Sequence, residues 1–229
     1  MRPTVGAVFS ATAAALRNGQ KPERAFSAVD VPNCPTAVEC PELVAQHGVH
    51  LYESARVDRI TLTATPDCYC ELAALLISNV LHNPVYSTRV HLTHPRSRLS
   101  AIEIPPPSRY PWSYFLDVRV AEFLYDQEHE DYRLGRDTES WLLPRFTVAD
   151  EGGLSVWISP ESEAKARQVR PLLWLHGTGV ARARLAKVLL NAGQTMPFPS
   201  NYALELPMCG GGVAEDSAEL ELIVSSDAL

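Results

Sequence analysis

VDRITLTATPDCYCELAALLISNVLHNPVYSTRVHL, Val57 to Leu92, decides the fold class. In its first part Ile60, Leu62 and Ala64 alternate with Thr61 and Thr63, the period of a half-buried strand with a β-branched polar face. Thr65-Pro66-Asp67 then reads as a helix start: a Thr cap satisfies an orphan amide, and Pro at the first helical position fixes φ. Leu72, Leu75, Leu76 and Val80 form the apolar stripe of that helix. It should end near Asn83, because Pro84 disfavours helical geometry before it, and Val85 to Leu92 returns to a strand pattern. Strand, helix and strand in this order permit a parallel pair joined by a right-handed crossover, within a sheet that need not stay parallel.

On the N-terminal side, Val5, Val8, Phe9, Ala13 and Leu16 recur at helical spacing, and Asn18-Gly19 offers a terminator able to take positive φ. A helix over 4–18 is therefore expected, followed by a peripheral loop over 20–39 punctuated by Pro22, Pro32, Asn33 and Pro35, and a short helix over Pro41 to Gln46. The first 22 residues contain no acid and are rich in Ala, Ser and Thr, as in organellar transit peptides, but the helical spacing favours a structured element. On the C-terminal side, Ser100 to Ile104 and Tyr114 to Val120 are strand-like, and Leu142 to Val148 and Leu154 to Ile158 flank Glu151-Gly152-Gly153 as a hairpin. A short helix over Glu161 to Val169, an apolar run Leu172 to Leu175, a helix over Val180 to Asn191 ended by Gly193, and a strand Glu219 to Val224 complete the pattern. The expectation is an α+β protein, a single sheet-centred domain over 1–229 with mixed strands and several packed helices.

With 229 residues, 46% of them hydrophobic, the chain can bury a sizeable core, and no apolar run approaches the roughly 20 residues of a membrane-spanning helix. A soluble protein without a membrane partner is expected. Charge is unevenly distributed. Ala164 to Leu204 holds no Asp or Glu but carries Lys165, Arg167, Arg170, Arg182, Arg184 and Lys187, so a segment of +6 sits in a chain of −7 and the remainder sums to −13. Such segregation produces a directional field that steers an anionic partner or an acidic neighbouring subunit.

The five cysteines, Cys34, Cys40, Cys68, Cys70 and Cys209, are odd in number and irregular in spacing, which argues for free thiols in a reducing, cytoplasmic compartment. Zinc sites pair cysteines two to four residues apart. Cys34-x5-Cys40 is too long and Cys68-x-Cys70 too short, so neither a metal nor a cofactor is expected.

Strand, His176-Gly177-Thr178-Gly179 and helix make the best binding candidate: glycines admit close approach, and a helix N-terminus favours phosphate or carboxylate. The turn lacks the dinucleotide and phosphate-loop fingerprints, and the chain has no nucleophile elbow to use it as an esterase oxyanion loop. Cys209, before Gly210-Gly211-Gly212, reads as a thiol beside a glycine loop rather than a nucleophile, so no catalytic residue is assigned. His91 and His94 lie with Arg89, Arg96 and Arg98 in a basic patch; three residues apart on a strand they face opposite sides unless Pro95 begins a turn. Tyr86 nearby would supply stacking for single-stranded nucleic acid. The acids Asp126, Glu128, Glu130, Asp131, Asp137 and Glu139 lack the Gly and Glu of a calcium loop and read as a solvated segment. Tyr110, Trp112 and Tyr114 form an aromatic cluster suited to a core or an interface.

These features favour a non-enzymatic structural or interaction subunit of a larger assembly, self-associating or bound to protein partners, with segregated acidic and basic surfaces. One alternative is a nucleic-acid-associated subunit binding through segments 89–98 and 165–187, with Arg182, Arg184 and Lys187 on phosphates. The other is a small hydrolase or transferase using the turn from His176 to Gly179.

Overall fold

A computed structural model describes residues 1–20, 24–26, 34–52, 55–82, 86–106, 155–158, 170–177, 179–194, 202–205 and 218–225. The elements are α1 (Val5–Arg17), β1 (Ala37–Glu39), β2 (Val44–Tyr52), β3 (Ala55–Ala64), α2 (Pro66–His82), β4 (Thr88–His91) and β5 (Ala101–Ile104). They continue with β6 (Ser155–Ile158), β7 (Leu172–His176), α3 (Gly179–Gln194), β8 (Tyr202–Glu205) and β9 (Glu219–Val224). The protein is α+β, with mixed parallel and antiparallel strands.

Local chemistry sets the helix ends. Thr4 Oγ1 accepts from Ala7 N at 3.0 Å to open α1. At its other end Gly19 takes φ 80°, with Gly19 N donating to Leu16 O and Gln20 N to Ala15 O, so left-handed glycine satisfies the last carbonyls. Thr65 Oγ1 accepts from Cys68 N at 3.2 Å, the cap expected before Pro66.

The strands form two sheets, in the orders β1-β4-β5-β7-β6 and β2-β3-β9-β8. The strands flanking α2 therefore do not pair with each other: β3 lies in the second sheet and β4 in the first. The place beside β3 is taken by β9, parallel to it from Arg59↔Glu219 to Ala64↔Val224. Arg59 Nε donates to Glu219 Oε2 at 2.9 Å and Thr61 Oγ1 to Glu221 Oε2 at 2.7 Å, cross-strand links that fix this register. Hence α2 connects two sheets instead of crossing over within one. Pro41 to Gln46, expected as a short helix, instead leads into β2, whose Val44, Ala45 and Gln46 pair with β3. Of the expected strand Leu154 to Ile158, Ser155–Ile158 forms β6, which pairs with β7; its expected partner Leu142 to Val148, the strand Tyr114 to Val120 and the helix Glu161 to Val169 lie outside the described residues.

Helix α2 packs between α1 and α3. Its hydroxyl anchor, Tyr69, lies 2.6 Å from Leu62 O and 2.9 Å from Ile223 O, holding the helix start on the second sheet. Gly193 was expected to end α3 but lies within it, where a Cβ would collide with Cys70 Sγ and come within 2.6 Å of Pro66 O. It allows the close approach of α3 to α2. Val38, Val90, Ile102 and Leu173 of one sheet, Ile60, Leu62 and Leu220 of the other, and Phe9, Leu75 and Leu189 of the helices belong to one hydrophobic cluster. The loop after β4 joins the sheets: Ser97 Oγ donates to Leu43 O, Ala45 N to Ser97 Oγ, and Arg98 N to Ala45 O.

Candidate functional site

A buried polar cluster lies where the first turn of α3 meets the second half of α2. Arg182 is fully buried, on a stripe with Leu185, Ala186 and Leu189, which are also buried. Its Nη1 donates to Asn79 Oδ1 at 2.5 Å. Asn79 is held in turn by its Nδ2, which donates to Thr88 Oγ1 at 3.4 Å and Cys34 Sγ at 3.8 Å, while Cys34 Sγ and Thr88 Oγ1 are 3.3 Å apart. Arg182 Nε, Arg182 Nη2 and Ser78 Oγ are buried, and the two nitrogens have no hydrogen-bond partner among the described residues. Burial lowers the Arg182 pKa to about 10, which leaves it charged at neutral pH. Burial also raises the Cys34 thiol, outweighing the opposing influence of Thr88, Asn79, Ser78 and the Arg182 charge. Cys34 is therefore a neutral neighbour and not the counter-ion of the guanidinium.

Two cations of the expected basic segment are thus withdrawn from the surface. Arg182 is 0% and Lys187 4% exposed, so neither is available to surface phosphates; burial lowers the Lys187 pKa to about 6. Arg184 lies within α3, Gly177 is buried at the end of β7 and Gly179 begins α3, while Thr178 lies outside the described residues. Sequence periodicity contained the signal. Arg182 is spaced three, four and seven residues from Leu185, Ala186 and Leu189, the inward stripe of a helix.

The patch from 89 to 98 divides by position. Arg89 Nε donates to Glu103 Oε2 at 2.5 Å across β4 and β5, so its charge is matched. Arg96 and Arg98 are exposed on the loop after β4, and Tyr86, 72% exposed, precedes the other end of that strand. A strand advances ~3.3 Å per residue, so β4 separates the aromatic ring from the cations it was expected to assist. Pro95 does begin a turn: Ser97 N donates to His94 O and Arg96 N to His94 Nδ1, both at 3.1 Å. Burial, then Arg2 and Arg89, lower the His91 pKa against Glu39 and Glu103. Among the described residues no group of three or more His, Cys, Asp or Glu could hold a metal ion.

The four described cysteines are free and buried, and they associate across the fold instead of by sequence spacing. Cys40 Sγ lies 3.4 Å from Cys68 Sγ, which joins the end of β1 to the start of α2. The hydrogen bond with Cys40, then burial, raise the Cys68 pKa well above its ordinary value, and burial pushes Cys70 up to about 12. Glu71 stands beside this corner, 2.9 Å from where a Cβ on Gly6 would lie. Burial first, then Glu42 and Asp67, raise its pKa to about 7.

A second feature was not anticipated from sequence. Among the described residues β9 accompanies β3 only from Arg59 to Ala64, and β2 and β3 continue without it from Val49↔Asp58 to Tyr52↔Ala55 as a two-stranded ribbon. Ala45 directs its N–H and C=O to the loop at Ser97 and Arg98, away from β3. By alternation, His47, Val49 and Leu51 turn theirs to the same outer edge. Val49 is 39% and Leu51 74% exposed, on the face that carries buried Ile60 closer to the core. His47 Nε2 lies 3.1 Å from Asp58 Oδ1 on this face.

Tyr110, Trp112, Tyr114, Cys209 with its glycines and the acids from Asp126 to Glu139 lie outside the described residues. No helix among the described residues is long and apolar enough to cross a membrane. The chain matches no protein-family model, no curated protein and no solved structure.

Proposed function

We propose that the protein is a non-enzymatic interaction subunit that self-associates through the outer edge of β2. The observation that carries this reading is the ribbon: its outer edge has backbone groups facing outward at Val49 and Leu51, the same residues whose apolar side chains are exposed. An isolated two-stranded ribbon is marginal in water, and an open edge with apolar side chains is a template for another strand. A second copy suits this edge. Val44 to Tyr52 contains no Asp, Glu, Lys or Arg, so two β2 strands meeting antiparallel about a two-fold axis bring no like charges together. Charge segregation supports association less directly, since Arg182 and Lys187 have left the surface.

Sedimentation across a concentration series tests the reading. The wild-type chain is expected to dimerise, and Leu51→Lys, which adds a charge to the edge, is expected to remain monomeric with the unfolding midpoint of the dilute wild-type monomer. A wild-type chain that stays monomeric at every concentration, or a Leu51→Lys variant that still dimerises, rejects it.

A further inference from the structure

We propose that the Arg182 cluster is a binding site for a small oxyanion, the carboxylate or phosphoryl group of a ligand. A guanidinium removed from water loses its hydration, and it persists in an interior when an anion and well-placed acceptors replace that hydration. Here the inventory is one-sided. Among the described residues the only acceptor bonded to Arg182 is Asn79 Oδ1, which is neutral and engages Nη1 alone. Cys34 is a neutral thiol, and Thr88 Oγ1 and Asn79 Nδ2 are engaged with each other.

The unpaired atoms have a particular geometry. Nε and Nη2 form the side-on fork of the guanidinium, whose two parallel N–H bonds match two oxygens of one carboxylate or phosphoryl group. The fork is positioned in advance, because Nη1 is tied to Asn79 and Asn79 to Thr88 and Cys34. Ser78 Oγ contributes a further buried hydroxyl on the same stretch of α2. Lysine would not meet this demand, since a single ammonium presents no planar fork. The burial of every member limits the occupant to a small group or to the anionic tip of a larger one.

The test is thermal unfolding of the full chain titrated separately with sodium phosphate and sodium acetate, each against sodium chloride at equal ionic strength. A saturable rise of about 5–10 °C at roughly hundredfold excess over Kd is expected from one of the two, and which one identifies the headgroup class. Arg182→Met should abolish the response. Because that variant removes a packed side chain, Asn79→Asp provides a second measurement. It keeps the volume and places a carboxylate on Nη1, so it should fold and weaken anion binding about tenfold or more by supplying the counter-charge internally. No saturable rise with either anion, or an equal rise in wild type and Asn79→Asp, overturns the proposal.

Discussion

The α2–α3 interface and the β2–β3 ribbon reverse the usual solvent preferences in opposite senses. At the interface, Arg182 is buried on the stripe of Leu185, Ala186 and Leu189. On the ribbon, Val49 and Leu51 are exposed although the same strand face carries buried Ile60 nearer the core. Burying a guanidinium disfavours folding unless something pairs with it, whereas exposing two apolar side chains has only a small effect on the monomer. The oxyanion proposal rests on the first departure and the self-association proposal on the second.

The largest expected effect separates the two regions with the same chemical change. Leu75→Ala, inside α2 and fully buried, should lower unfolding free energy by about 2–5 kcal/mol in urea denaturation. Leu51→Ala on the ribbon should stay within about 0.5 kcal/mol in a dilute monomer. Comparable losses at both positions would abolish the contrast. Gly193→Ala comes next, at about 1–3 kcal/mol, because its methyl group meets Cys70 and the Pro66 carbonyl at the closest approach of α3 to α2. A neutral or stabilising Gly193→Ala would mean that the helices are not held at this separation.

Two pH profiles sharpen the comparison further. The folded-state pKa of Lys187 is lowered to about 6 from 10.5, so the unfolded chain binds more protons between those values. Stability contributed by this site should rise with pH from about 6 toward 10.5, and Lys187→Met should remove that rise from the profile. Glu71 has the opposite slope. Its pKa is raised from 4.5 to about 7, so its contribution is fully present below about 4.5 and lost as pH rises through about 7. Glu71→Gln should therefore stabilise the protein at pH 8 relative to wild type, with little difference at pH 4. A wild-type profile retained by either variant would assign the slope to other groups.

Much of the local structure was legible. Thr65-Pro66 marks the start of α2, Asn18-Gly19 the end of α1, and the alternation of Leu220, Leu222 and Val224 gives β9 with its buried face. These readings rest on neighbours a few residues apart. Gly193 was misread for the same reason: near a helix end it resembles a terminator, and only the arrival of α2 shows why no Cβ fits. The Cys40–Cys68 contact was invisible because it joins residues 28 positions apart through the meeting of β1 with α2.

The amino-acid pattern by itself determined the α+β class, the caps and the inward faces, because capping, backbone restriction and side-chain periodicity act over one or two turns. Tertiary structure decided that β3 pairs with β9 instead of β4, that Arg182 enters the interior beside Asn79, and that β2 outruns its sheet to leave Val49 and Leu51 exposed. Those outcomes depend on which distant surfaces meet, and the free energies of pairing and desolvation that select them have no short-range signature in the chain.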